Sequence, residues 1–203
     1  MHNLDEILAK RPIVVALAGS NGAGKSTFYE TVLSRTGLLF VNADVIAAVT
    51  GVDAYAAADL AEDYRQKFVD QRESFIFETV FSDPVGEKLQ ALCELEETGY
   101  TVLLIYIGIA GPDQSATRVA MRVAQGGHDV PISKIADRYQ RTLKNLSRAL
   151  DRLRNVLVYD NSDLIQKYRL VVRKLNGVME IVGELPTWLK PHIPGANPPR
   201  HLN

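Results

Sequence analysis

Short apolar runs rich in β-branched residues alternate along this chain with longer stretches whose apolar positions recur at helical spacing. Ile13-Val14-Val15-Ala16-Leu17-Ala18 is the first run, continuous rather than alternating, as expected of a strand covered on both faces. Leu38 to Val41, Ser74 to Phe77, Thr101 to Ile107 and Val156 to Tyr159 repeat the pattern. Helices are predicted from Asn3 to Lys10, Ser26 to Ser34, Asp53 to about Arg72, Pro84 to Thr98, about Asp113 to Gln125 and about Ser133 to Arg154. Asn3 is a good N-cap with Glu6 at the capping-box position, and Gly99 closes the helix before it. Arg169 to Lys174 and Val178 to Val182, joined by Asn176-Gly177, predict a β-hairpin with a type I′ turn. The tail from Pro186 holds five of the nine prolines and is expected to lie extended on the surface.

Strands alternating with helices predict an α/β fold, a doubly wound and mainly parallel sheet with right-handed crossovers. Ligands of such sheets sit at the carboxyl ends of the strands. One domain is expected over residues 1–185, with a helical lid at about 113–131 and a C-terminal β-hairpin, followed by the extended Pro-rich tail 186–203.

Between the first run and the second helix stands Gly19-Ser20-Asn21-Gly22-Ala23-Gly24-Lys25-Ser26-Thr27, a full match to the phosphate-cradling pattern G-x-x-x-x-G-K-[ST]. Such a loop turns backbone N–H groups toward phosphate oxygens. Lys25 then reaches the β- and γ-phosphates, and the Ser26 hydroxyl ligates Mg²⁺. The fold expected is therefore that of a P-loop NTPase of the nucleotide or small-molecule kinase type, holding ATP or GTP.

Composition narrows the setting. The 203 residues are 46% hydrophobic and 23% charged, with a formal charge of −1, which gives no electrostatic case for nucleic acid or a membrane surface. A lone cysteine, Cys93, fits a reducing compartment, and no secretory leader or run of eighteen apolar residues is present, so a cytoplasmic protein is expected.

Phosphoryl transfer asks for a metal, cations on the migrating group and something to orient or deprotonate the acceptor. Asp44, just past the second strand, suits the last role; the alternative is that it caps the next helix, for which Asn42 is an equal candidate. Glu78, with Thr79 at the end of the third strand, could bind Mg²⁺ through water, hold acceptor hydroxyls, or be a plain exposed carboxylate. Arg118 and Arg122 are four apart on one helix face, as in a lid that carries cations over the phosphates, or as in a solvated pair. Arg138 and Arg141 are weaker versions of the same idea, and His128 reads as a lid or substrate contact. Asp160-Asn161-Ser162, after the fifth strand, stands where a loop could touch the base.

These pieces in order, Gly19 to Thr27, Asn42-Ala43-Asp44, Phe77-Glu78-Thr79, Arg118 with Arg122, Gly127-His128-Asp129-Val130-Pro131, Arg138-Tyr139 with Arg141, and Asn145-Leu146, resemble the zeta toxin family of small bacterial P-loop kinases over residues 13–162. The resemblance implies an ATP- or GTP-dependent kinase that phosphorylates the 3′-hydroxyl of the amino sugar in UDP-N-acetylglucosamine or related UDP-sugars, starving cell-wall synthesis. It implies Asp44 as general base, Lys25 and Ser26 as phosphate and magnesium residues, Glu78 as a substrate-site carboxylate, Arg118 as a γ-phosphate cation, and an antitoxin protein as a candidate partner. The stretch after Arg118 aligns ambiguously with the family's second lid arginine, so Arg122 and the acceptor are carried over less firmly. Two other readings share part of the pattern. A kinase of another small acceptor, such as an antibiotic, nucleoside or dinucleotide, shares every residue above. A nucleotide-switched binding module is the third, and the lid arginines and Asp44 argue against it. A transporter-type ATPase is disfavoured, because no Leu-Ser-Gly-Gly-Gln signature is present.

Overall fold

The structure, a computed structural model, describes residues 2–124 and 131–193. Its centre is β1 (Ile13–Ala18), whose six residues are all buried. Around it a seven-stranded sheet runs in the order β2 (Leu39–Val41), β3 (Phe75–Thr79), β1, β4 (Thr101–Gly108), β5 (Val156–Asp160), β6 (Arg169–Leu175) and β7 (Val178–Ile181). The first five strands in that order are parallel, and β6 and β7 add an antiparallel hairpin at the far edge. Asn176 and Gly177 both take positive φ at its tip (51° and 85°), the geometry expected of a type I′ turn.

Register fixes what lies at the working edge. Ala18 pairs with Thr79 on one side and Tyr106 on the other, so the loop after β1 leaves the sheet level with the ends of β3 and β4. The third strand extends two residues beyond the expected Phe77, taking Glu78 and Thr79 into the ladder. Successive strand residues face opposite sides, so these two are turned apart.

Helices cover both faces: α1 (His2–Leu8), α3 (Ala43–Thr50), α4 (Ala54–Asp70), α5 (Glu87–Glu97), α6 (Pro112–Ala124) and α7 (Ile132–Arg152). Asn3 lies inside α1 rather than at its cap. The expected helix Ser26 to Ser34 is instead one α-turn (α2, Lys25–Phe28), a π-turn (Tyr29–Leu33) and a 3₁₀ turn (Ser34–Thr36). Phe28 and Leu33 are both buried, and the i→i+5 bonding of a π-turn brings residues five apart toward the same side. Apolar positions at this spacing do not signal the change in pitch.

The tail departs from the extended surface course expected from Pro186. Trp188, Leu189 and Ile193 are buried, and a 3₁₀ turn spans Lys190–His192. The Trp188 indole lies on Gly108, where an added Cβ would come within 2.1 Å of the ring, and its Nε1 donates to Asp160 Oδ1 at 3.0 Å. The apolar area of one tryptophan outweighs the extended preference of the surrounding prolines.

Candidate active site

The phosphate loop is built by close approach. Gly19 leaves β1 at φ +145°, and an added Cβ there would sit 2.2 Å from the Ile107 carbonyl oxygen, so only glycine passes between β1 and β4. Lys25 folds back across the loop, its Nζ donating to Gly19 O (3.0 Å) and Ser20 O (3.1 Å), with Glu78 Oε1 at 3.5 Å. Burial pulls the Lys25 ammonium below the ordinary lysine range. The Glu78 carboxylate opposes that pull, Arg122 adds to it, and Asp44 opposes it more weakly.

Glu78 ties three elements together. Its Oε2 accepts from Ser26 Oγ (3.1 Å) and from Asn42 Nδ2 (2.9 Å), while Oε1 faces Lys25. Asn42 is the N-cap of α3, its Oδ1 accepting from Asp44 N (2.7 Å) and Val45 N (3.2 Å). The capping role left open between Asn42 and Asp44 thus goes to Asn42, and Asp44 is exposed in the first turn of α3. Thr79 is turned to the opposite face, its hydroxyl accepting from Lys88 Nζ (3.2 Å) and Phe81 N (3.0 Å).

The lid helix rests on the loop. Ser115 Oγ donates to Asn21 O, and Arg118 Nη2 donates to Asn161 O at 2.9 Å. From beyond β5, Asn161 Nδ2 donates to Ala23 O (2.8 Å) and the Tyr168 hydroxyl to Gly24 O (2.9 Å). In the segment 160–162, which stands where a loop could touch the base, Asn161 braces the phosphate loop, and Asp160 accepts from Trp188, Arg169 and Ser162. Among the described residues, the Ser20 hydroxyl and the Oδ1 atoms of Asn21 and Asn161 are buried with no hydrogen-bond partner. The Ser20 hydroxyl can donate to a phosphate oxygen.

Lys25, Ser26, Asp44, Glu78 and Arg122 are therefore brought together, with Arg118 one helical turn from Arg122 and held on the loop. Arg138, on α7, belongs to a second cluster beyond β3, where its charge acts on Lys88, and Arg141 follows it on the same helix with a buried Nε. His128 lies outside the described residues. Tyr168, Ser115 and Lys88 carry no local sequence signal, since each acts through contacts far along the chain.

The described residues contain no group of three or more His, Cys, Asp and Glu able to hold a metal ion. The hard-oxygen donors present, the Ser26 hydroxyl and the Glu78 carboxylate within 3.1 Å of it, suit Mg²⁺, which keeps several waters and phosphate oxygens as ligands.

A phosphate loop on the central strand, parallel neighbours on both sides and a helix seated on the loop define the class of P-loop kinase folds. Solved structures agree. The AvrRxo1-ORF1:-ORF2 complex matches with a TM-score of 0.68 at 18% identity, over 88% of this chain and 64% of that one. A putative kinase from Chloroflexus aurantiacus matches at 0.55 and 20% identity, over 77% and 92% of the two chains. The PezAT chromosomal toxin-antitoxin system of Streptococcus pneumoniae matches at 0.56 and 18% identity, over 78% and 76%. At these identities the likeness is one of fold, and the chain spans 64% of the length of the matched chain of the AvrRxo1-ORF1:-ORF2 complex. No curated protein matches. The Zeta toxin family model matches residues 4–170, and the chain belongs to that family.

Proposed function

We propose that the protein is an ATP- or GTP-dependent phosphotransferase whose acceptor is a sugar hydroxyl of a UDP-activated amino sugar such as UDP-N-acetylglucosamine, a product that would withdraw a cell-wall precursor. One observation carries the reading: the charges of Glu78, Asp44 and Arg122, from three different elements, converge on Lys25 inside a phosphate loop. A switch that only binds nucleotide has no need of Asp44 there.

The loop amides and Lys25 hold the β- and γ-phosphates, and Lys25 exchanges its two carbonyl partners for phosphate oxygens. The ammonium, desolvated before the nucleotide arrives, gains more from an anion than it would in water. Mg²⁺, held by Ser26 and, through water, by Glu78, would supply a counter-charge to the phosphates. Asp44, free of capping duty, accepts the acceptor's hydroxyl proton as that oxygen bonds to the γ-phosphorus and the bond to the β–γ bridging oxygen breaks, releasing ADP or GDP. Arg118 and Arg122 add cations to the migrating group from the lid side. Support for ATP as donor comes from a structure of the AvrRxo1-ORF1:-ORF2 complex with ATP, and the pairing of toxin with antitoxin in PezAT supports a protein inhibitor for this chain too.

Incubating the purified protein with Mg²⁺, γ-labelled ATP or GTP, and UDP-N-acetylglucosamine, beside a bacterial metabolite extract, tests the reading. Label on the sugar nucleotide is the expected result. Label on another metabolite would overturn the acceptor and keep the kinase, and phosphate released only to water would overturn the kinase.

A further inference from the structure

Beyond β3 the chain makes a loop that the phosphate site does not use. Phe81 is fully buried at φ +59°, a conformation a bulky residue adopts only when held there. The clamp comes from α7: Thr142 Oγ1 donates to Val80 O (2.8 Å), and Asn145 Nδ2 donates to Phe81 O (3.1 Å) and Asp83 O (2.9 Å). Such holding fixes Asp83, yet both its carboxylate oxygens are buried without a hydrogen-bond partner among the described residues. The commonest employment of an aspartate just ahead of a helix is not taken up, for the N-cap of α5, Gly86, receives no side-chain cap bond. Arg141, one turn before Asn145 on α7, has a buried Nε equally without a partner. Lys88, in the first turn of α5, senses the charges of Arg65, Asp83, Glu62 and Arg138 and reaches Thr79 at the end of β3. A rigid loop that leaves a buried acceptor and a buried donor unmatched at the ligand edge of the sheet is arranged for something that brings both kinds of partner.

We infer that Asp83, with Arg141 and Lys88, is the recognition clamp for the acceptor, taking the polyol edge of a sugar whose hydroxyls donate to Asp83 while its oxygens accept from Arg141 and Lys88. This rests on the acceptor reading above and adds to it the side chains that select the acceptor. A hydroxyl both donates and accepts, which a sulfate ion or an apolar ring cannot do.

The test compares wild type, Asp83→Ala and Asp83→Glu with Mg·ATP and UDP-N-acetylglucosamine. Three readouts are taken: KM and kcat for the sugar, Kd for a fluorescent ATP analogue, and the melting temperature of the ligand-free protein. In Asp83→Ala the KM for the sugar is expected to rise about 10- to 100-fold, as for a charged hydrogen-bond partner removed, with nucleotide Kd unchanged. Ligand-free melting should stay the same or rise, because the carboxylate has no partner to lose, and Asp83→Glu should recover part of the KM. An unchanged KM overturns the clamp and leaves the kinase reading standing. So does a lowered melting point with ATP binding lost in parallel, which would mark Asp83 as structural. If wild type labels a different metabolite, the same comparison runs on that acceptor. If wild type labels no acceptor, the kinase reading falls and the clamp with it.

Discussion

Replacing Glu78 by glutamine removes one negative charge and little volume, which isolates its electrostatic role. Its Oε1 stands 3.5 Å from Lys25 Nζ, with the lysine 6% and the glutamate 16% exposed. At an effective dielectric of ~20 that separation gives an attraction of about 4–5 kcal/mol. Part survives the change: Lys25 keeps the Gly19 and Ser20 carbonyls, and glutamine's oxygen still accepts from Ser26 or Asn42. A net loss of about 2–4 kcal/mol remains, within the usual range for breaking a buried pair. In a chain of this length that corresponds to a melting point lower by roughly 5–15 °C. The pH dependence has a definite sign. Burial already lowers the Lys25 pKa, so charging Lys25 costs folded-state stability below the unfolded lysine pKa, and losing Glu78 enlarges that cost. The deficit of Glu78→Gln should therefore be full while Lys25 is charged in both folded proteins and shrink as pH rises through their lowered folded-state lysine pKa values, below the unfolded ~10.4. Differential scanning calorimetry of both proteins from pH 6.5 to 10 measures it. Equal melting points at neutral pH, or a deficit that grows with pH, would refute the ion-pair account.

Two further predictions concern the parts around the site. Trp188→Ala should cost about 3–5 kcal/mol in urea unfolding, the usual loss for a buried aromatic, because it uncovers Gly108 and takes a donor from Asp160; a tail merely lying on the surface would change stability by about 0.5 kcal/mol or less. Tyr139, whose hydroxyl donates to Ile109 O at 2.8 Å, is pushed up to about 12 by burial, with Asp160 adding to the shift. Its folded pKa thus exceeds the unfolded value near 10, so its stabilisation is complete below pH ~10 and is lost as pH climbs toward 12, at about 1.4 kcal/mol per unit. Unfolding free energies between pH 9 and 11.5 should fall less steeply in Tyr139→Phe than in wild type, and identical slopes would contradict the assignment.

Much of this was legible from residue patterns because it is local. Six apolar residues followed by Gly19 to Ser26 define a buried strand and a phosphate loop without reference to anything distant. Parallel pairing follows from the alternation of strands and helices. What escaped depends on long-range contact. The faces of Glu78 and Thr79 part because β3 runs two residues past its apolar core, and the ladder to Leu17 and Ala18 that extends it is invisible locally. Whether Asn42 or Asp44 caps α3 is decided by backbone direction, which either side chain could have satisfied. Trp188 sits among prolines whose local preference is extended, and its packing partner Gly108 lies eighty residues earlier in the chain. Asp83 stands out only by what it lacks, a hydrogen-bond partner for its buried carboxylate, which no sequence pattern records.

The central claim is that Asp44, released from capping by Asn42 and facing the charge of Lys25, takes the acceptor's proton. Asp44→Asn tests it, assayed for phosphoryl transfer to UDP-N-acetylglucosamine beside direct measurement of ATP affinity. The account predicts ATP binding within about threefold of wild type and a kcat lower by about 10²–10⁴-fold, the span of general-base catalysis. Transfer by the Asp44→Asn protein at the wild-type rate would contradict it.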